Sequence, residues 1–93
     1  MDYGAMREEN VIIPNKLGLH ARAAAIFSKQ ASEFSSRIEV INNRMKVNGK
    51  SIMELLTIAA VKGCNIIIRA DGDDEERAID ALVSLVNDGF GEK

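Results

Sequence analysis

Four short segments with the residue pattern of β-strands limit the fold of this chain more than any other feature. Residues 8–15 contain a run of β-branched residues that ends at a proline, and residues 64–70 contain a second such run. Residues 36–41 and 44–48 alternate polar and apolar side chains around Asn42 and Asn43, a pair typical of turns. The patterns predict a first strand, a central strand and a β-hairpin with one solvated face.

The segment that follows the first predicted strand has the periodicity of an amphipathic helix. Between residues 20 and 34, apolar side chains recur at spacings of three and four, as they do on one face of a helix. The buried face of this helix is predicted to carry Ala24, Phe27, Ala31 and Phe34. This helix would connect the first strand to the hairpin.

Two further helices are predicted from their end signals. Ser51 is a good N-cap, and Glu54 completes a Ser-x-x-Glu capping box for a short helix over residues 52–59. Asp73 or Asp74 is expected to cap a last helix with an acidic first turn, which Gly89 would end. The element order is then β-α-β-β-α-β-α, which predicts an α+β fold with a four-stranded antiparallel sheet under three helices.

Length and charge restrict the class of protein. We expect the 93 residues to form a single domain over 1–93, with a core at about 9–90 and a flexible extension at 1–7. A net charge of −2 argues against generic binding to nucleic acids or membrane surfaces. The chain has no apolar run long enough to span a bilayer and only one cysteine, Cys64, so we expect a cytoplasmic protein. A monomer is expected, although the sequence gives no direct sign of the oligomeric state. Neither a cofactor nor a metal site is expected.

The only histidine, His20, lies where a glycine-containing loop meets the Ala-rich helix. Free backbone amides and the positive end of the helix dipole make this position favourable for anions. Arg22, two residues further, adds a planar set of donors that suits phosphate. A nucleophile, an anion site and a fixed cation are what a phosphoryl-accepting histidine requires, whereas catalytic dyads with two histidines are excluded.

Two sequence blocks resemble the histidine-containing phosphocarrier (HPr) family of the bacterial phosphoenolpyruvate-dependent phosphotransferase system. The first is Asn-Lys-Leu-Gly-Leu-His-Ala-Arg-x-Ala-Ala at residues 15–25, and the second is Lys-Ser-Ile-Met at residues 50–53. The resemblance covers roughly residues 9–90 and implies the open-faced β-sandwich of that family. It also implies a carrier of phosphoryl groups rather than an independent enzyme.

Specific roles follow from the resemblance. His20 would accept a phosphoryl group on Nδ1 from phospho-enzyme I and pass it to a IIA-type protein, while Arg22 would orient that group. Ser51 would be a regulatory site for an HPr kinase/phosphorylase in lineages that have one. The partner-binding surface would consist of Ala21, Ile26, Ile52, Met53 and Leu56. Apart from the resemblance, Lys16, Lys29 and Lys50 could supply a basic rim that speeds docking, although each lysine taken alone is more simply explained as a solvated charge.

One departure from the family pattern concerns Ala23, which stands where the family usually has proline. We expect the helix to persist, because alanine is a good helix former, but with an additional backbone N–H near the phosphoryl position. The hypothesis is retained phosphorylation with an altered transfer rate or phosphohistidine lifetime.

Two alternatives to the relay, and the branch within it, stay open on the sequence. The chain could be a regulatory HPr-like protein that acts through Ser51 and binds a transcriptional regulator, or an unrelated α/β binding module. Within the relay interpretation, the block at 50–53 resembles the sugar branch of the family, while the tail at 87–90 is similar to nitrogen-branch members.

Overall fold

The strands of the computed structural model, which describes residues 6–92, form a single antiparallel sheet. They are β1 (Arg7–Ile12), β2 (Arg37–Asn42), β3 (Met45–Asn48) and β4 (Asn65–Asp71), in the spatial order β1-β4-β2-β3. Strand β4 lies between β1 and β2, which confirms the central strand predicted at 64–70. The β2–β3 hairpin turns at Asn43, whose φ of 58° is a conformation that asparagine tolerates well.

Three helices cover one face of this sheet: α1 (Ala21–Ala31), α2 (Ile52–Thr57) and α3 (Glu75–Asn87). The helices bury one side chain in two along the strands, because successive strand residues face opposite sides. The core joins these strand residues to helix residues and includes Val40, Ile66, Ile68, Phe27, Leu55 and Leu82. The predicted α+β fold with an open-faced sheet is therefore confirmed.

The outer face of the sheet carries ion pairs. Arg69 on β4 contacts Glu8 on β1 at 2.8 Å and Glu39 on β2 at 3.5 Å, so its guanidinium bridges both neighbouring strands. Lys46 on β3 lies 3.7 Å from the same Glu39 carboxylate. Such cross-strand pairs each add modest stability and keep this face polar.

Helices α1 and α2 are shorter than their periodicity predicted. Beyond Ala31 the chain continues in tighter turns, with the Phe34 amide donating to the Ala31 carbonyl at 3.2 Å, so Phe34 still packs on the core. Helix α2 ends at Thr57, because Ala59 takes a left-handed conformation with a φ of 48°. The helical spacing of apolar residues therefore extends beyond the last residues of both helices.

The capping box at α2 forms only in part. The Ser51 hydroxyl accepts the Glu54 amide at 3.2 Å, as predicted. The Glu54 carboxylate does not return to the Ser51 amide and instead accepts the Asn48 amide at 2.9 Å. Glu54 thereby connects the start of α2 to the end of β3.

At the N terminus, β1 begins at Arg7, the last residue of the predicted flexible extension, and Arg7 pairs with Ala70. The rest of the predicted extension, apart from Met6, lies outside the described residues.

The predicted capping of α3 by an aspartate side chain is wrong. Asp74 occupies the N-cap position, but its carboxylate accepts hydrogen bonds from the segment before β2. The Ser35 amide donates at 2.9 Å, the Ser36 amide at 3.0 Å and the Ser36 hydroxyl at 2.5 Å. Gly72 allows this approach, since a Cβ there would lie 2.6 Å from the Ser36 Cα. Asp74 therefore fastens α3 to the start of β2.

The hydrogen bonds of Asp74 make stability depend on pH in the acid range. The Ser36 hydroxyl, and then the Ser35 amide, lower the pKa of Asp74 from 3.8 to about 2. A depressed carboxylate pKa stabilises the fold above pH 3.8, and this contribution is lost as the pH falls toward 2. We expect Asp74→Asn to lower the melting temperature at pH 7, with the difference from wild type disappearing near pH 2. Thermal unfolding between pH 2 and 7 measures this, with the exposed Asp73→Asn as the matched control.

Candidate functional site

His20 is the N-cap residue of α1, with an extended backbone (φ −86°, ψ −176°). Its carbonyl accepts the first helical hydrogen bond, from the Ala24 amide at 2.8 Å. The amides of residues 21–23 precede that bond, so they have no acceptor in the helix and form the positive end of its dipole. The structure therefore places the imidazole, as predicted, beside a helix end whose free amides favour anions.

The loop before His20 is fixed by contacts with the loop that follows α2. The Leu19 amide donates to the Ala60 carbonyl at 2.9 Å, and the Leu19 side chain is buried. Gly18 has a φ of 67°, and a Cβ on it would lie 2.5 Å from the Ala60 oxygen. A glycine is required at this point, because only a residue without a side chain fits both the conformation and the space.

Glu92 is a site residue that the sequence analysis missed. One oxygen of its carboxylate, Oε2, contacts the Nε2 atom of His20, and the other, Oε1, accepts the Asn15 Nδ2 at 2.8 Å. The bond from Asn15, together with His20 and the charge of Arg22, lowers the pKa of Glu92, although desolvation opposes the shift. The only signal in the sequence was a Gly-x-Gly-Glu end after the last helix, which indicates a turn rather than a site.

Arg22 and Ala23 occupy the first turn of α1, beside the histidine. Arg22 is exposed, and its positive charge contributes to lowering the pKa of Glu92, whose carboxylate contacts His20. Ala23 is fully buried and continues the helix without interruption, as expected. Its effect on transfer rate and phosphohistidine lifetime stays a prediction.

Exposed apolar side chains lie on α2. Ile52 is 42% exposed, Met53 is 77% exposed and Leu56 is 38% exposed, whereas Leu55 and Ile58 are buried. Of the other residues predicted to bind partners, Ala21 is exposed and Ile26 is half-buried on α1, which contacts α2.

Two further exposed apolar residues were missed by the sequence analysis. Leu17 is 65% exposed and Val61 is 60% exposed. They lie on the two loops that the bond between Leu19 and Ala60 joins. We call Leu17, Ile52, Met53, Leu56 and Val61 the apolar face. Exposed apolar side chains that adjoin one another typically mark a protein–protein contact, whereas single ones are common on protein surfaces.

Of the three lysines considered for a basic rim, Lys50 is bound to the backbone. The Lys50 ammonium donates to the Phe34 carbonyl at 2.7 Å and is only half-exposed, so it is held against the turn after α1. Lys16 and Lys29 are exposed. The Ser51 side chain caps α2 and is half-exposed, immediately before the first residue of the apolar face on that helix.

Comparison with known proteins identifies the family. The family model described as "PTS-HPr: PTS HPr component phosphorylation site" matches residues 7–88. The chain belongs to the HPr family. Phosphocarrier protein HPr of Neisseria meningitidis serogroup A is 49% identical over 87 residues, which cover 94% of this chain and 98% of the relative. The HPr match confirms the resemblance seen in the two sequence blocks.

Solved structures agree with this assignment. HPr-C-His from Thermoanaerobacter tengcongensis superposes with a TM-score of 0.90 at 48% identity, over 94% of this chain and 98% of that chain. The HPr-like protein Crh of Halalkalibacterium halodurans is 40% identical over 81 residues, covering 87% of this chain and 96% of the relative. The relatives of this chain thus include proteins described as phosphocarriers and proteins described as Crh.

None of the helices within residues 6–92 combines the length and the hydropathy required to cross a membrane.

Proposed function

We propose that this chain accepts a phosphoryl group on His20 from phospho-enzyme I and passes it to a IIA-type protein of the phosphotransferase system. The observation that carries the proposal is the geometry of the imidazole. His20 stands at the N terminus of α1 with Nε2 engaged by Glu92, so Nδ1 is the ring nitrogen left to react. Membership of a phosphocarrier family supports the same role.

The transfer needs positioning and charge stabilisation rather than covalent help from the protein. The Nδ1 lone pair attacks phosphorus, and the bond from phosphorus to the donor nitrogen breaks with its electron pair returning to the donor imidazole. The free amides of the first turn of α1 and the exposed Arg22 guanidinium can balance the charge on the phosphoryl oxygens. The chain therefore works as a carrier whose histidine is phosphorylated and dephosphorylated in turn, and not as an independent enzyme.

The apolar face provides the docking surface in this proposal. Phosphoryl transfer between two proteins requires each donor and acceptor imidazole to be brought together in line, so partners must bind beside His20. Met53 has the most exposed side chain of that face, and the bond between Leu19 and Ala60 joins its loops close to the histidine. Enzyme I and IIA-type proteins would use the same face in turn, since the single histidine must serve both.

A phosphotransfer assay tests the proposal. Purified protein is incubated with enzyme I, Mg²⁺ and radiolabelled phosphoenolpyruvate, and the label is examined for stability. We expect one phosphoryl group per chain, labile in acid and stable in alkali, as a phosphohistidine requires. Absence of label with an enzyme I that phosphorylates a control HPr would rule the relay out.

A second function, regulation through Ser51, is supported by the position of that serine. Its half-exposed hydroxyl adjoins Ile52 and Met53, so a phosphate there would bring negative charge to the apolar face. An HPr kinase/phosphorylase would be the modifying enzyme, and a transcriptional regulator could read the modified form. The relation to an HPr-like protein described as Crh supports considering this role.

Ser51→Asp imitates the charge of that modification while retaining a good N-cap. We expect the KM of enzyme I for the variant to rise by roughly 10-fold with little change in kcat, because docking and not chemistry is affected. Ser84→Asp on the exposed side of α3 is the matched control and should behave like wild type. Equal KM values for the two variants would place Ser51 outside the docking surface.

The setting of this relay follows from its chemistry. Because phosphoenolpyruvate and enzyme I supply the phosphoryl group, we place the carrier in the bacterial cytoplasm, either in sugar uptake or in nitrogen-related regulation.

We propose a monomer, since an imidazole that serves two successive partners must stay accessible. A second T. tengcongensis structure, 50% identical with a TM-score of 0.75 over 88% of this chain and 94% of that chain, is described as an HPr dimer. Light scattering at assay concentration distinguishes the two states.

A further inference from the structure

The C-terminal segment after α3 delivers a carboxylate to the histidine by an unusual backbone path. Gly89, Phe90 and Gly91 follow one another with φ values of 64°, 58° and 80°, all in the left-handed region. For the two glycines this conformation is easy, but for phenylalanine it is unfavourable. The Phe90 side chain is 2% exposed in the core, so burial holds this conformation in place. Backbone strain that packing maintains next to a reactive group is typical of functional sites.

Asn15 holds the carboxylate that this segment delivers. Its Nδ2 atom donates to the Glu92 Oε1 at 2.8 Å and to the Gly18 carbonyl at 2.9 Å, and the side chain is 7% exposed. Turning the amide around would place its oxygen against two acceptors, so these bonds fix its orientation. The Asn15 Oδ1 atom is buried and has no hydrogen-bond partner among residues 6–92. A buried amide that leaves one atom unsatisfied is costly for stability alone, which favours a role in positioning.

We infer that Glu92, held by Asn15, is a positioning residue that keeps a proton on Nε2 of His20 and thereby leaves Nδ1 free to attack phosphorus. A carboxylate oxygen can only accept a hydrogen bond, so the Nε2 atom that it contacts must be the donor. A neutral imidazole carries one proton, and with that proton on Nε2 the lone pair is on Nδ1. This inference rests on the proposed transfer to His20.

Glu92 also faces the charge that appears during transfer. When Nδ1 forms its bond to phosphorus, no proton leaves the ring, so the imidazole becomes positively charged with Nε2–H still in place. The Glu92 carboxylate lies on that side of the ring, away from the incoming phosphoryl group, and stabilises this charge. The hydrogen bonds from Asn15 and His20 and the charge of Arg22 lower the pKa of Glu92 and so favour its ionised form, and Lys16, Lys62 and Asp88 line the same surface pocket as Glu92.

The experiment compares Glu92→Ala and Glu92→Gln with wild type by two measurements. Imidazole ¹⁵N NMR on the unphosphorylated protein, at a pH where His20 is neutral, reports the fraction of the Nε2–H tautomer and the exchange protection of that proton. Rapid-quench kinetics with phospho-enzyme I separate kcat from KM. Asp88→Asn is the matched control, because it removes one exposed carboxylate from the same tail.

We expect Glu92→Ala to lose the protected Nε2 proton, shift tautomers toward those of free histidine and lower kcat about 10-fold at constant KM. Glu92→Gln, whose amide oxygen still accepts a hydrogen bond, should retain the tautomer but lose part of the rate. Unchanged tautomer populations in Glu92→Ala overturn the inference, and so does a changed tautomer with an unchanged kcat. If wild type takes no phosphoryl group, the proposed transfer fails, while the tautomer result still tells whether Glu92 fixes the ring.

Discussion

His20→Gln is expected to reduce phosphorylation by phospho-enzyme I to background. A glutamine amide has no nucleophilic lone pair comparable to that of imidazole, so no bond to phosphorus can form. The fold should tolerate this change, because the His20 side chain is 26% exposed and hydrogen-bonds to the Glu92 carboxylate. The glutamine amide can donate to the same carboxylate, which keeps the C-terminal segment in place.

The measurement is the acid-labile label per chain, with circular dichroism and the melting temperature taken on the same samples. Arg22→Gln is the comparison variant, since it removes a charge from the first turn of α1 and leaves the nucleophile intact. We expect that variant to become labelled to completion but about 10- to 100-fold more slowly, the loss of one charge-assisted contact to the phosphoryl group. Full labelling of His20→Gln would show that another residue accepts the group.

The elements of this fold could be predicted because each is set by a local pattern. The strands follow from β-branched runs with a period of two, and α1 and α3 follow from apolar residues at helical spacing. The ends were less accurate where backbone conformation changed without a change in apolar spacing, as at Ala59, whose φ is 48°. Alanine gives no signal for a left-handed conformation, so sequence reasoning extended α2 too far.

The contacts of two charged residues could not be predicted from the sequence, and the physical cause is the same for both. Asp74 stands at the N-cap position of α3, and an aspartate there is usually a cap. Its carboxylate instead binds Ser35 and Ser36, which are distant in sequence and are brought close by the pairing of β2 with β4. Likewise, Lys50, which on the sequence was either a solvated charge or part of a basic rim, donates to the Phe34 carbonyl. Charged side chains choose among the acceptors that tertiary structure provides, which local rules do not describe.

Part of the candidate site could be predicted because, like the helices and strands, it is set by a local sequence pattern. His20 and Arg22 belong to one short segment at a helix start, so their proximity follows from the local backbone. Glu92 lies 72 residues from His20 in the chain, and it reaches the ring only because of the left-handed turn that Phe90 anchors. Neither composition nor periodicity predicts a left-handed conformation at a phenylalanine, so this turn could not be inferred from the sequence.

Gly18→Ala is expected to destabilise the protein severely and to impair transfer at the same time. The left-handed conformation at Gly18 costs an alanine about 1–2 kcal/mol, and its Cβ would lie 2.5 Å from the Ala60 oxygen and 2.9 Å from the Val61 Cα. Relieving a clash with backbone atoms adds about 1–3 kcal/mol. We expect a total loss of about 3 kcal/mol in unfolding free energy, which for a domain of this size lowers the melting temperature by roughly 10–20 °C.

Gly63→Ala separates the cost of the left-handed conformation from the cost of the clash. Gly63 has a φ of 89°, and a Cβ there would meet no atom within 4 Å, so that variant carries the conformational cost without the clash. We expect it to lose about 1 kcal/mol, because the smaller entropy of the unfolded alanine chain offsets part of the strain. Urea denaturation of both variants gives the comparison, and equal losses would mean that the contact between the His20 loop and the loop after α2 is not tight.

The same pair of variants connects stability to transfer. The contact at Gly18 sets the position of the Leu19 amide, which donates to Ala60 at 2.9 Å, and His20 is the next residue. If that contact positions the imidazole, Gly18→Ala should transfer phosphoryl groups more slowly than Gly63→Ala under conditions where both are fully folded. A rate that depends only on the folded fraction would mean that α1 and Glu92 alone orient His20, and that the contact at Gly18 serves stability.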